Sequence, residues 1–155
     1  MAGRPKRRNP SVSVLPLSGL LLLASATASL VTAQTSTPLR TVWDGVYTEA
    51  QAERGKAIYM EKCVQCHGPE LMGGGAGAGP LQGPTFSGNW NGVPLGDMLE
   101  RLRQSMPLDK PATLSRQQSA DVLAFIFSVN KFPSGKTELS RQAEILNTIT
   151  FKATK

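Results

Sequence analysis

Apolar positions recur at helical spacing in three segments of the chain and alternate in none. The spacing predicts one helix that begins at Thr48, a second over residues 95–104 and a third from Ser115 to about Asn130. A shorter helix is expected over residues 140–147. Because no segment shows the period of two that a half-buried strand requires, the predicted fold class is all-α.

Two of these helices carry a capping signature at their start. Thr48 and Ser115 are each followed three residues later by a glutamine, Gln51 and Gln118. We expect each hydroxyl and amide to satisfy backbone N–H groups reciprocally. Gly55 lies inside the first helix, where glycine costs about 1 kcal/mol relative to alanine. We therefore expect another helix to cross closely at Gly55.

A glycine-rich segment, residues 68–84, is predicted to be a loop. Its centre, residues 73–79, reads Gly-Gly-Gly-Ala-Gly-Ala-Gly. A phosphate-binding loop would continue into Lys-Ser or Lys-Thr or into a helix start, whereas Pro80-Leu81 follows here, so nucleotide binding is excluded. Two interpretations stay open: a flexible surface loop, or a loop that approaches a bound group closely because it lacks side chains.

Much of the net charge of +6 lies at the start of the chain. Four basic residues fall in the first eight positions, and an apolar run, Leu15 to Val31, follows them. Small residues precede Gln34 at the positions that a signal peptidase reads, so residues 1–33 are predicted to be a secretory signal. The remaining 122 residues would carry a net charge of only +2, which argues against nucleic-acid binding. The alternative is that the apolar run is retained as a membrane anchor.

Both cysteines and the single histidine of the chain fall within five residues, as Cys63, Cys66 and His67. This is the C-x-x-C-H pattern of c-type haem attachment. Two thiols at this spacing reach the two vinyl groups of one haem edge, and the adjacent imidazole supplies an axial nitrogen to the iron. A zinc site would lack a fourth ligand, and a thioredoxin-like dithiol would require a preceding strand. We predict one covalently attached haem c, bound through Cys63 and Cys66 and ligated by His67.

The second axial ligand is expected to be Met106. Met60 precedes the haem motif on its histidine side, and Met98 lies on the apolar face of a predicted helix. Met72 is five residues from His67, which allows at most about 17 Å of extended chain. Met106 follows His67 by 39 residues, enough chain to pass around the ring.

These motifs together resemble a class I, mono-haem cytochrome c. The similarity spans residues 48–130 and is carried by Gly55, Tyr59, the haem motif, residues 79–83, Met106-Pro107 and residues 122–126. It implies a cytochrome c-like fold of three to five helices wrapped around the haem, with the first and last helices crossing near Gly55, Tyr59 and Phe125. It also implies that a carbonyl before Leu81, from Gly79 or Pro80, accepts the Nδ1 proton of His67.

The predicted organisation is a signal segment at residues 1–33, an N-terminal extension at 34–47 and a cytochrome c domain at 48–155. We expect the haem to fill the middle of this domain. A narrower similarity is carried by residues 42–47, 89–92 and 132–139 and by Met106-Pro107. These segments resemble periplasmic cytochromes that accompany quinoprotein (pyrroloquinoline quinone) alcohol dehydrogenases.

The expected function is periplasmic one-electron transfer and not catalysis, because a His/Met-ligated iron has no vacant site for a substrate. The expected donor is a periplasmic dehydrogenase, and the acceptor is an oxidase or another cytochrome of the respiratory chain. Membrane contact is expected only if the signal segment stays uncleaved. Trp90 is expected to donate its indole N–H to a haem propionate, or else to pack in the core.

Two alternative functions stay open. One is a haem protein with an open sixth site that acts as a gas sensor or catalyst. The other is a tightly bound cytochrome subunit of a dehydrogenase complex, with residues 34–47 as its docking arm.

Overall fold

Residues 39–155 are described by the computed structural model of the chain. In this range the helices and strands are β1 (Arg40–Thr41), α1 (Glu49–Lys62), α2 (Val64–His67), α3 (Gly83–Trp90), α4 (Leu95–Ser105), α5 (Arg116–Val129), α6 (Ala143–Leu146) and β2 (Ile149–Thr150). The all-α prediction is confirmed. No helix within residues 39–155 is long and apolar enough to cross a membrane. The predicted signal segment, residues 1–33, lies outside the described residues.

Helices α1 and α5 cross at Gly55. A methyl group added at Gly55 would collide with the backbone carbonyl of Asp121 and lie 3.0 Å from the Cβ of Phe125. One turn further along α1, the ring of Tyr59 lies 5.3 Å from that of Phe125. The crossing implied by the resemblance is therefore confirmed, and the absence of a side chain at Gly55 permits the close approach.

The two predicted capping signatures have different outcomes. Ser115 and Gln118 bond each other's backbone N–H groups, at 3.1 and 2.9 Å, so this capping box is confirmed. The Thr48 hydroxyl also accepts from the Gln51 backbone N–H at 3.2 Å. The amide of Gln51, however, is fully buried and bonds the backbone N–H and carbonyl of Leu139. The reciprocal half of the Thr48 box is wrong, because both polar atoms of this amide are bonded to the Leu139 backbone.

The described region contains more helices than the three to five expected. The predicted loop over residues 68–84 overlaps the first two residues of α3. Helix α2, which was not predicted, lies within the haem motif. Pro84 lies in the first turn of α3, where proline is well tolerated. Phe86 and Trp90 follow one helical turn apart, with ring centroids at 6.4 Å. An eight-residue helix presents too few apolar positions for its period to stand out.

The N-terminal and C-terminal segments pack together against α5. Strands β1 and β2 pair in parallel, each too short for an alternating pattern to appear in sequence. Val42, Val46 and Tyr47 are buried, so this part of the predicted extension packs on its own domain. The Trp43 indole N–H donates to the carbonyl of Lys152 at 3.0 Å.

The domain has a core built from its own side chains. Phe151 is fully buried and lies 5.1 to 6.1 Å, centroid to centroid, from Phe86, Phe127 and Phe132. Trp43 and Tyr47, from the N-terminal end of the described region, join this cluster through Phe132 and Phe127. The expectation that haem fills the middle of the domain stays a prediction.

Candidate haem-attachment site

The haem motif begins where α1 ends. Cys63 caps α1 through its backbone N–H, which donates to the Tyr59 carbonyl at 2.9 Å, and α2 follows as a single turn. Cys63 and Cys66 are free thiols and both are half-buried. Burial raises the pKa of the Cys63 thiol to about 11, so this group is a protonated thiol at neutral pH.

The imidazole of His67 is held through its Nδ1 atom. Nδ1 lies 3.1 Å from the carbonyl oxygen of Gly79, a distance at which a protonated Nδ1 donates a hydrogen bond. Of the two candidates, Gly79 and Pro80, the structure therefore selects Gly79. With Nδ1 occupied, Nε2 is the nitrogen left for a metal, as in other histidine-ligated metal sites.

The glycine-rich loop packs against α2. A methyl group at Gly75 would lie 2.6 Å from the Gln65 carbonyl and 2.8 Å from that of Cys66. The Gly73 N–H donates to the His67 carbonyl at 2.9 Å, and the Leu81 N–H donates to the Leu71 carbonyl at 2.8 Å. These contacts hold the loop against α2, with the Gly79 carbonyl beside His67. The approach of the loop to a bound group stays a prediction.

The four methionines of the described region lie in different environments. Met98 is 2% exposed in the core, whereas Met60 and Met72 are 48% and 63% exposed. Met106 is half-buried at the residue that ends α4, where its backbone N–H donates to Leu102. Met98 as a core residue is confirmed. The ligand role of Met106 stays a prediction.

Trp90 ends α3 beside a surface cavity. The guanidinium carbon of Arg101 lies 5.9 Å from the centre of a Trp90 ring, within cation–π range. The cavity measures about 970 Å³ and is lined by Asn89, Trp90, Val93, Asp97, Glu100, Arg101, Gln104 and Ser105. None of the predicted attachment or ligand residues lines it, so the propionate contact of Trp90 stays a prediction.

The residues around the motif fit a c-type haem. Two free thiols and an imidazole with Nε2 available are donors that such a group requires. Val64 within the motif and Leu81 near Gly79 are apolar and only partly buried, so apolar surface is available beside these donors.

Residues 50–126 match the family model described as cytochrome C oxidase, cbb3-type, subunit III. The match supports a class I c-type cytochrome domain over this region. No curated protein and no solved structure matches the chain.

Two residues of the cytochrome domain, Tyr59 and Asn130, make contacts that the sequence did not predict. The Tyr59 hydroxyl donates to the Gly68 carbonyl at 2.6 Å, directly after His67, although Tyr59 was expected only at the helix crossing. The Asn130 side chain bonds Leu81 and Gly83 at 2.9 and 3.1 Å, although it was assigned only the end of a helix. The Asn130 contacts join residues 47 and 49 positions apart, and the Tyr59 contact spans nine positions, which is more than two helical turns. No helical period in the sequence predicts either of them.

Proposed function

We propose that this chain is a periplasmic one-electron carrier with one covalently attached haem c. The observation that carries the proposal is the His67 imidazole, whose Nδ1 is engaged by Gly79 beside two free thiols. Cys63 and Cys66 would form the thioether bonds, and His67 and Met106 would ligate the iron. When bound, the haem supplies a one-electron iron couple.

The residues of the chain have three roles in this function. The Gly79 carbonyl orients His67 and raises the electron density of its imidazole. The thioether of Met106 would hold the iron as a second ligand, which would favour reduced iron and keep external ligands out. The partly buried apolar residues Val64, Leu81 and Leu102 would exclude water, which further raises the reduction potential.

We propose a quinoprotein alcohol dehydrogenase as the electron donor and an oxidase as the acceptor. Residues 42–47 and 132–139, which carry the narrower resemblance, support the donor. The export pattern of residues 1–33 supports a periplasmic location, where both partners would meet the carrier.

A second candidate is a cytochrome subunit that stays bound in a larger complex. The name of the matching family model, which describes an oxidase subunit, favours this candidate. Size-exclusion chromatography of protein purified from its native host distinguishes the two: a carrier elutes at its own mass, and a subunit elutes with its complex.

Haem attachment is tested with the full chain expressed in a host that has a c-type haem maturation system. Haem should remain with the polypeptide on a denaturing gel, and the Cys63→Ala, Cys66→Ala double variant should lose it. The oxidised protein should show the far-red sulfur-to-iron band, and the reduced protein should not bind carbon monoxide. Haem removal by acid-acetone would contradict the attachment site, and carbon monoxide binding would favour an open sixth position.

A further inference from the structure

We propose that Asn130 is a positioning residue for the axial histidine, and that its side chain tunes the haem iron through the Gly79–Gly83 segment. The proposal rests on the haem site proposed above. Asn130 touches neither His67 nor any other predicted ligand, and it would act only through the backbone that it holds.

The Asn130 side chain makes three hydrogen bonds to the backbone. Its Nδ2 donates to the Leu81 carbonyl at 2.9 Å and to the Ile126 carbonyl at 2.8 Å. Its Oδ1 accepts from the Gly83 N–H at 3.1 Å. One half-buried amide thus joins the end of α5 to Leu81 and to Gly83, the first residue of α3.

The segment held by Asn130 is the one that carries the acceptor of His67. Gly79 lies two residues before Leu81, and its carbonyl accepts from the His67 Nδ1. The Leu81 N–H is fixed from the other side by the Leu71 carbonyl, at 2.8 Å. With both backbone groups of Leu81 bonded, the Gly79 carbonyl has little freedom to rotate away from His67.

The anchor for this segment is rigid. Asn130 follows the last turn of α5, in which Ile126 and Phe127 are 2% and 0% exposed. Helix α5 is in turn packed on α1 at the Gly55 crossing. Asn130 therefore connects the glycine-rich loop, which has few side chains to pack, to a helix that is buried and closely packed on α1.

The consequence is electronic as well as structural. A hydrogen bond from Nδ1 to a carbonyl makes the imidazole a more basic ligand, and a more basic ligand stabilises oxidised iron. Weakening the Gly79 contact should therefore raise the reduction potential. A residue that contributed only to folding would change the stability and leave the potential where it was.

The test compares Asn130→Ala with Ser128→Ala in the haem-loaded full chain. Ser128 lies in the same last turn of α5, but its hydroxyl bonds only the Phe125 carbonyl of its own helix, at 2.7 Å. We expect Asn130→Ala to raise the reduction potential and to shift the low-spin electron paramagnetic resonance signal, while Ser128→Ala leaves both unchanged. Asn130→Asp keeps an acceptor for Gly83 but loses both donors, so it should also shift the resonance signal.

The outcomes separate this proposal from the proposed function. If the wild type carries covalent haem and Asn130→Ala leaves the potential unchanged or lowers it, the positioning role is overturned. An equal rise in Ser128→Ala would also overturn it, because a general loosening of α5 would then explain the effect. If the wild type carries no covalent haem, the proposed function has failed, and the positioning role fails with it.

Discussion

At the residue scale, Met106 is the side chain whose replacement should change the iron most directly. Met106→Ala removes the thioether, and since a thioether favours reduced iron, we expect the reduction potential to fall. The far-red band should disappear from the oxidised spectrum. Reduced protein should then bind carbon monoxide, because the sixth position is open.

Met72 and Met98 are the matched controls for Met106. Met72 is 63% exposed and Met98 is 2% exposed, so alanine at either position should preserve the far-red band. Met98→Ala should nevertheless lower the free energy of unfolding by about 2–5 kcal/mol, because it empties a core position. Loss of the band in either control, with the band intact in Met106→Ala, would contradict the assignment.

Tyr47 provides a pH-dependent contribution to stability. Its hydroxyl donates to the buried Phe132 carbonyl at 2.7 Å, and burial, with the nearby Glu49 charge, raises its pKa above 10.0. The protonated phenol is therefore favoured in the folded state, and its contribution is complete below pH 10 and lost as the pH rises through the folded pKa.

Tyr47→Phe should lower the free energy of unfolding by about 1 kcal/mol at pH 7. The difference from the wild type should shrink above pH 10, as the wild type loses this contribution. Urea unfolding of both proteins between pH 7 and pH 11 measures the effect. A difference that stays constant over this range would contradict the role of the phenol.

At the scale of elements, the α1–α5 crossing depends on the missing side chain at Gly55. Alanine has the higher helix propensity, by about 1 kcal/mol. In Gly55→Ala, however, the new methyl group would meet the Asp121 backbone, which cannot rotate away as a side chain can. Overpacking commonly costs about 1–3 kcal/mol, and a collision with backbone falls at the upper end of that range. After the gain in helix propensity, we expect a net loss of about 1–2 kcal/mol in chemical denaturation.

Gly88 in α3 offers the opposite case. A methyl group there would meet nothing within 4 Å, and its backbone has no positive φ. Gly88→Ala should therefore stabilise the domain by about 0.5–1 kcal/mol. If both alanine variants shift stability in the same direction, the crossing is not the reason for the glycine at position 55.

Local sequence specified the long helices better than the short ones. Helix α4 was predicted over residues 95–104 and runs from Leu95 to Ser105, because its apolar stripe and Pro107 mark it within one segment. The only aromatic residues of α3 are Phe86 and Trp90, and they lie among glycines and polar residues, so the segment shows no clear helical period. Its position depends on what it packs against, which a local pattern does not contain.

At the scale of the whole molecule, Phe151 connects the C-terminal end to the core. It is fully buried among three other phenylalanine rings. Phe151→Ala should lower the free energy of unfolding by about 3–5 kcal/mol, as expected for a buried aromatic ring. Thermal unfolding followed by circular dichroism measures this loss.

Ile145→Ala is the control for Phe151→Ala. Ile145 belongs to the same C-terminal segment but is 49% exposed, so its replacement should change stability by less than about 1 kcal/mol. In both variants the thioether bonds should keep the haem on the polypeptide. A Phe151→Ala protein as stable as the wild type would mean that the aromatic cluster is not the centre of the domain.

The sequence by itself determined the fold class and predicted the chemistry of the site. The spacing of Cys63, Cys66 and His67 predicts haem attachment, because two thiols within one helical turn match the distance between two haem vinyl groups. The helical period likewise survives in any segment long enough to repeat it. These are local properties, and a chain displays them before it folds.

The tertiary structure decided which distant groups meet. It selected Gly79 over Pro80 as the partner of His67. The Gln51 amide, predicted to cap α1, bonds Leu139 instead. The Asn130 side chain bonds Leu81 and Gly83. The tertiary structure also brought Trp43 and Phe151, from the two ends of the described region, against Phe132. Each of these contacts joins residues 12 or more positions apart, where the outcome depends on how the helices pack and not on any periodicity in the sequence.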